Sequence, residues 1–157
     1  MRLTESDILS RKAFLQITPE DEHRLKEIHP IMLRHAPEIV ERFYEFLLSH
    51  PITGDMLRAP GMLERLKKLQ TDYFLRLTSG VYDREYCENR LQVGLAHERV
   101  GLAPEWYLGA YAKYFEIVSG ILRRECGAGQ ESTIASLSKL IHLDMSLAID
   151  AYVWHGK

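Results

Sequence analysis

Val93-Gly94-Leu95-Ala96-His97-Glu98-Arg99-Val100-Gly101-Leu102-Ala103-Pro104-Glu105-Trp106-Tyr107-Leu108-Gly109-Ala110-Tyr111 is the stretch on which the reading of this chain turns. It closes one helix and opens another. Asp83 caps a helix that runs to about Val100, and Gly101 stops it, because glycine adopts the left-handed conformation a helix end favours. Pro104 stands where a first-turn proline belongs and opens a long helix to Cys126. His97 lies inside the first of these helices, with Val93 and Gly94 one turn before it on the same face and Val100 and Gly101 one turn after.

Helix punctuation continues outward in both directions. Thr4 caps a short helix from Glu5 to about Leu15. Thr18-Pro19-Glu20-Asp21 supplies a cap, a first-turn proline and two first-turn acids. Pro30 and Pro37 divide the next thirty or so residues into one helix ending in the low thirties and another from Pro37 to Ser49, since an interior proline removes a backbone bond. Pro51, Gly54, Pro60 and Gly61 mark a loop with at most a turn of helix. Met62, Leu66, Leu69, Tyr73 and Leu77 share one stripe of a helix from Met62 to Thr78. Gly127-Ala128-Gly129 breaks the chain before a last helix, from about Ser132 to Trp154. No segment alternates with a period of two, so the fold class is all-α, with about seven or eight helices.

That last helix carries two apolar stripes. Ile134, Leu137, Ile141, Met145, Ala148 and Tyr152 form one; Leu140, Leu143, Leu147, Ala151 and Trp154 form the other. The polar remainder is the narrow line Lys139, His142, Ser146 and Asp150. One stripe suffices for a surface helix, so the second implies a second contact. Deep burial within the chain would supply it; the expectation here is a homodimer seam.

Composition narrows the functional classes. At 157 residues the chain suits one domain spanning 1–157. Twenty basic against twenty-two acidic side chains leave a net charge of −2, which argues against a nucleic-acid binder. Cys87 and Cys126 form no CxxC pair and fit a reducing compartment. Met1 to Lys12 is too polar for a secretory signal, and no apolar run nears the roughly 20 residues that cross a bilayer. No membrane association and a cytoplasmic location are expected. Walker, GxGxxG, HExxH, GxSxG and EF-hand patterns are all missing, so no catalytic residue is proposed.

His97 is the residue that invites chemistry. Six other histidines (His23, His29, His35, His50, His142 and His155) stand in polar or loop surroundings and read as solvated. An interior glycine costs a helix about 1 kcal/mol relative to alanine, so Gly94 is not a neutral neighbour for His97. It leaves a nearly flat surface beside the imidazole, on which a large planar ligand can lie with its metal under the ring nitrogen, as haem does. Spacing by itself favours the plainer reading, a structural histidine beside packing glycines.

The quoted stretch resembles the signature of globin-coupled sensors, the haem domains that prefix bacterial signalling proteins. In that signature a histidine between two spaced glycines precedes Pro-x-Trp-Tyr-x-Gly-Ala-Tyr. The likeness extends over nearly the whole chain: an extra N-terminal helix, Phe43-Tyr44 in an early helix, Tyr82-Asp83 before the histidine helix, and two long C-terminal helices. It implies a globin fold, haem b as cofactor, and His97 as the proximal iron ligand. Tyr107 matches a tyrosine that hydrogen-bonds near the proximal histidine and orients it. Tyr44 matches the distal tyrosine. A phenol donor favours a polar gas such as dioxygen by about 1.5–3 kcal/mol if the acceptor behaves as charged, and carbon monoxide gains less. Leu66 and Leu69 fall at the distal positions, at one of which some members carry a polar donor; with both apolar, the resemblance implies a dry pocket relying on Tyr44. Phe43, Met62, Phe74 and Val100 are expected as further pocket contacts.

The implied function is a non-catalytic gas sensor for dioxygen, with carbon monoxide and nitric oxide as alternative ligands. In such proteins the output module follows the last globin helix. The Pro-x-Trp-Tyr-x-Gly-Ala-Tyr segment is most similar to members joined to diguanylate cyclases, which make cyclic di-GMP. Histidine kinase and chemotaxis outputs are the alternatives. The chain stops at His155-Gly156-Lys157 without an output, so it reads as a domain taken from a longer protein. A free-standing globin handling oxygen or nitric oxide, and a haem-free helical module, are the rival readings.

Overall fold

The computed structural model describes residues 3–127 and 129–155, with nothing described of the His155 side chain. Ala128 of the expected break, and the Gly156-Lys157 end, lie outside the described residues. Seven helices and no strand are present among the described residues: α1 Glu5–Phe14, α2 Pro19–Ser49, α3 Pro51–Met56, α4 Met62–Arg76, α5 Arg84–Arg99, α6 Pro104–Cys126 and α7 Glu131–His155. Thr4 and Thr18 each build a capping box, exchanging bonds with Asp7 and Asp21 three residues on. Asp83 caps α5 through the amide of Tyr86 at 3.0 Å. Gly101, at φ +83°, turns the chain between α5 and α6.

Two expectations are corrected. The break at Pro30 and Pro37 does not occur: both prolines sit inside the continuous helix α2. Each is exposed, so water can satisfy the carbonyls that lose their intrahelical partners. The opposite face buries Leu25, Ile28, Met32, Ile39, Val40 and Phe43, and that packing offsets a cost of about 3 kcal/mol per interior proline. The loop after α2 also contains α3, more than the single turn expected.

The two stripes of α7 have a different outcome. That helix is the central one, packed on α5, α2 and α6. Leu140, Leu143, Leu147 and Ala151 of the second stripe are as fully buried as Leu137 of the first. All of that stripe but the exposed Trp154 is taken up inside the chain, so those four residues do not call for a partner. The polar line meets α1 and α2 instead: Arg11 bonds Ser146 and Asp150, and Lys139 donates to Asp21 at 3.0 Å and to the carbonyl of Gln16 at 2.9 Å. Ile149, Val153 and Trp154 are the exposed large apolar residues of α7 among those described.

Candidate functional site

Helices α2 to α6 line a cavity of about 600 Å³, within the ~300–1,000 Å³ typical of small-molecule sites. All nine residues singled out from the sequence line it: Phe43 and Tyr44 from α2, Met62, Leu66, Leu69 and Phe74 from α4, His97 and Val100 at the end of α5, and Tyr107 from α6. Leu69 and Val100 are 60% and 66% exposed, so the cavity opens to solvent along their edge.

His97 is held by its own helix. A carbonyl can only accept, so Nδ1 carries the proton it donates to the Val93 carbonyl at 2.8 Å. That fixes the tautomer and leaves the Nε2 lone pair for a metal. Burial pushes the imidazole pKa down against the opposing pull of that backbone bond, which favours the neutral, ligating form. Tyr107 packs edge-on against the imidazole with ring centres 4.9 Å apart. Its hydroxyl meets that of Tyr73 at 3.1 Å, so Tyr107 steadies His97 by ring packing.

Gly94 does something other than flatten the imidazole's surroundings. A Cβ placed there would lie 3.1 Å from the Ala148 backbone and 3.1 Å from the Ala151 methyl. The glycine lets α5 approach α7, on the side away from any planar ligand.

On α2, Tyr44 is 4% exposed, and burial pushes its phenol up to about 12. It therefore keeps its proton at every physiological pH. Phe43 packs edge-on against Tyr44 at 5.5 Å and against Phe74 at 5.0 Å, so these rings are core and cavity wall together. The pocket is not as purely apolar as Leu66 and Leu69 imply. Gln70 also lines it, and its Oε1 accepts from the Tyr44 hydroxyl at 3.4 Å. Arg65, Arg76 and Asn89 add further polar groups to the wall. Sequence reasoning missed them all, although Gln70 stands four residues after Leu66 and hence on the same helical face.

Several histidines expected to be solvated have partners. His29 Nδ1 lies 2.8 Å from the Thr78 hydroxyl, and His35 lies between Glu38 and Glu125. His50 accepts from the Ile52 amide at 3.3 Å, at the start of α3.

The Protoglobin family profile matches residues 4–157. The chain belongs to the protoglobin family. This protoglobin is 31% identical over 163 residues to the "Heme-based aerotactic transducer HemAT" of Halobacterium salinarum, a match covering 96% of this chain and 33% of the relative. It thus spans about a third of that relative's length. A structural match to the globin domain of the Geobacter sulfurreducens globin-coupled sensor has a TM-score of 0.87 at 25% identity, covering 92% of this chain and 96% of that one. The fold is a globin fold. The aerotactic relative is heme-based by name, and the residues present here fit a haem: a neutral imidazole with Nε2 available, on the wall of a largely apolar cavity.

Proposed function

We propose that this protoglobin holds haem b on His97 and senses dioxygen for a signalling module. The observation that carries the reading is the convergence of His97 and Tyr44, from α5 and α2, on one cavity of ligand size. Haem supplies the ferrous centre at which a diatomic gas is taken up reversibly. His97 contributes the Nε2 lone pair, and the Val93 carbonyl holds its ring in the ligating tautomer. Tyr44, protonated throughout the physiological range, donates a hydrogen bond to the gas and favours dioxygen over carbon monoxide. Phe43, Met62, Leu66 and Phe74 form an apolar wall that limits competition from water, Leu69 and Val100 border its open edge, and Tyr107 steadies the imidazole. Arg65, Arg76 and Asn89, which line the cavity, would supply donors for the haem carboxylates.

The aerotactic relative supports a chemotaxis-type output over the diguanylate cyclase that the Pro-x-Trp-Tyr segment points to. Among the described residues no helix is long and apolar enough to cross a membrane; a cytoplasmic site of action is part of the same proposal. Assembly as a homodimer through the C-terminal helices belongs to the same proposal. The exposed group Ile149, Val153 and Trp154 supports it.

Titration of the purified protein with haem tests the reading. A Soret band saturating at one haem per chain, and shifting reversibly when dioxygen or carbon monoxide is admitted to the ferrous form, is expected. No band after reconstitution leaves a haem-free helical module.

A further inference from the structure

Arg90 of α5 and Asp144 of α7 are each 1% exposed and form an ion pair, with Nε and Oδ2 3.1 Å apart. The carboxylate also accepts from Tyr86 at 2.8 Å and Tyr111 at 2.9 Å. The guanidinium donates to the backbone carbonyl of Tyr73 at 2.7 Å and lies 3.6 Å over that ring's centre. The hydroxyl of Tyr73 in turn meets those of Tyr111 and Tyr107, and Tyr107 is the ring packed on His97. Contact is therefore continuous from a carboxylate on the central helix to the imidazole in the cavity.

Stability alone is a poor account of this cluster. A buried ion pair is commonly matched or bettered by apolar side chains of similar volume, because desolvation offsets the attraction. Its geometry offers another. Arg90 and His97 are seven residues apart, two turns along one face of α5. Between them Gly94 lies against Ala148 and Ala151 of α7. The helix bearing the imidazole is thus fastened to α7 at two successive turns, and the tyrosines tie α4 and α6 to the same carboxylate.

We infer that Asp144 and Arg90 are positioning residues, which set the orientation of the His97 imidazole through Tyr111, Tyr73 and Tyr107. The inference rests on His97 being the iron ligand. If α7 orients the imidazole, linkage requires that a gas whose binding depends on that orientation also biases α7.

The test compares two substitutions that each remove one hydroxyl from Asp144. Tyr111→Phe breaks the line of hydroxyls from Asp144 toward His97 and leaves only the Arg90 contact with Tyr73. Tyr86→Phe does not, because Tyr86 does not line the cavity. The iron–imidazole stretching band is read by resonance Raman in the ferrous, gas-free holoprotein, alongside the rate of haem loss. Tyr111→Phe is expected to move the band to lower frequency, since a less firmly held ring presents its lone pair less squarely. It is also expected to speed haem loss about tenfold. Tyr73→Phe breaks the same line at another hydroxyl and gives the same shift. In Tyr86→Phe the band stays in place. An unmoved band in both line variants, or equal shifts in all three, overturns the inference while leaving His97 as ligand. A wild-type protein that binds haem but shows no iron–imidazole band removes the reading beneath it.

Discussion

Substitution of Asp21 by Asn tests how the first long helix is fastened to the central one. Asp21 is 2% exposed and accepts from the Ser136 hydroxyl at 2.6 Å, the Thr18 amide at 2.9 Å and Lys139 at 3.0 Å. Burial raises its pKa, but these bonds together outweigh burial and hold it at about 2, against an ordinary 3.8. A carboxyl depressed on folding contributes stability that is fully present above its unfolded pKa and lost as pH falls through the folded value. The shift amounts to about 2 kcal/mol at pH 7, falling to about 1 kcal/mol at pH 3. Urea unfolding of the wild type and Asp21→Asn at both pH values measures the difference. The stability gap is expected to narrow by about 1 kcal/mol on acidification. A gap that stays constant or widens refutes the argument, because the carboxylate would then not be the species holding α2 to α7.

Three further outcomes are expected. Tyr44→Phe removes the buried donor and should speed oxygen dissociation by about tenfold or more, measured by stopped flow, with a smaller effect on carbon monoxide; an unchanged rate rejects the donor role. Gln70→Leu removes the acceptor that competes for the Tyr44 hydroxyl, so oxygen should leave more slowly, and faster release would show that Gln70 is itself a donor to the gas. Gly94→Val pushes methyl groups into Ala148 and Ala151 and should cost about 1–3 kcal/mol of stability by thermal or urea unfolding. An unaltered transition would mean that α5 and α7 are not closely packed there.

Much of the fold is legible in the sequence because helix ends are written locally. Asp83, Gly101 and Pro104 mark the end of one helix and the start of the next by what a single backbone position requires, and α5 and α6 follow them closely. Prolines 30 and 37 mislead for the converse reason: whether an interior proline breaks a helix depends on whether its freed carbonyls face water, which is a tertiary fact. Periodicity places two apolar stripes on α7 but does not say what each stripe meets. Here, apart from the exposed Trp154, both meet the rest of the same chain. Gly94 stands out correctly as unusual but is matched to the wrong neighbour, because both a ligand and a close-packed helix demand a missing side chain. Asp144, a lone acid amid Leu140, Ile141, Leu143 and Leu147, is the one signal of the tyrosine cluster, since such an acid must find a buried partner.

The coordinate bond from His97 is tested most directly by absorption spectroscopy of His97→Ala after addition of haem, with and without free imidazole. The account predicts loss of the wild-type spectrum in the variant and its return when imidazole enters the space left behind. A wild-type spectrum in His97→Ala without added imidazole contradicts it.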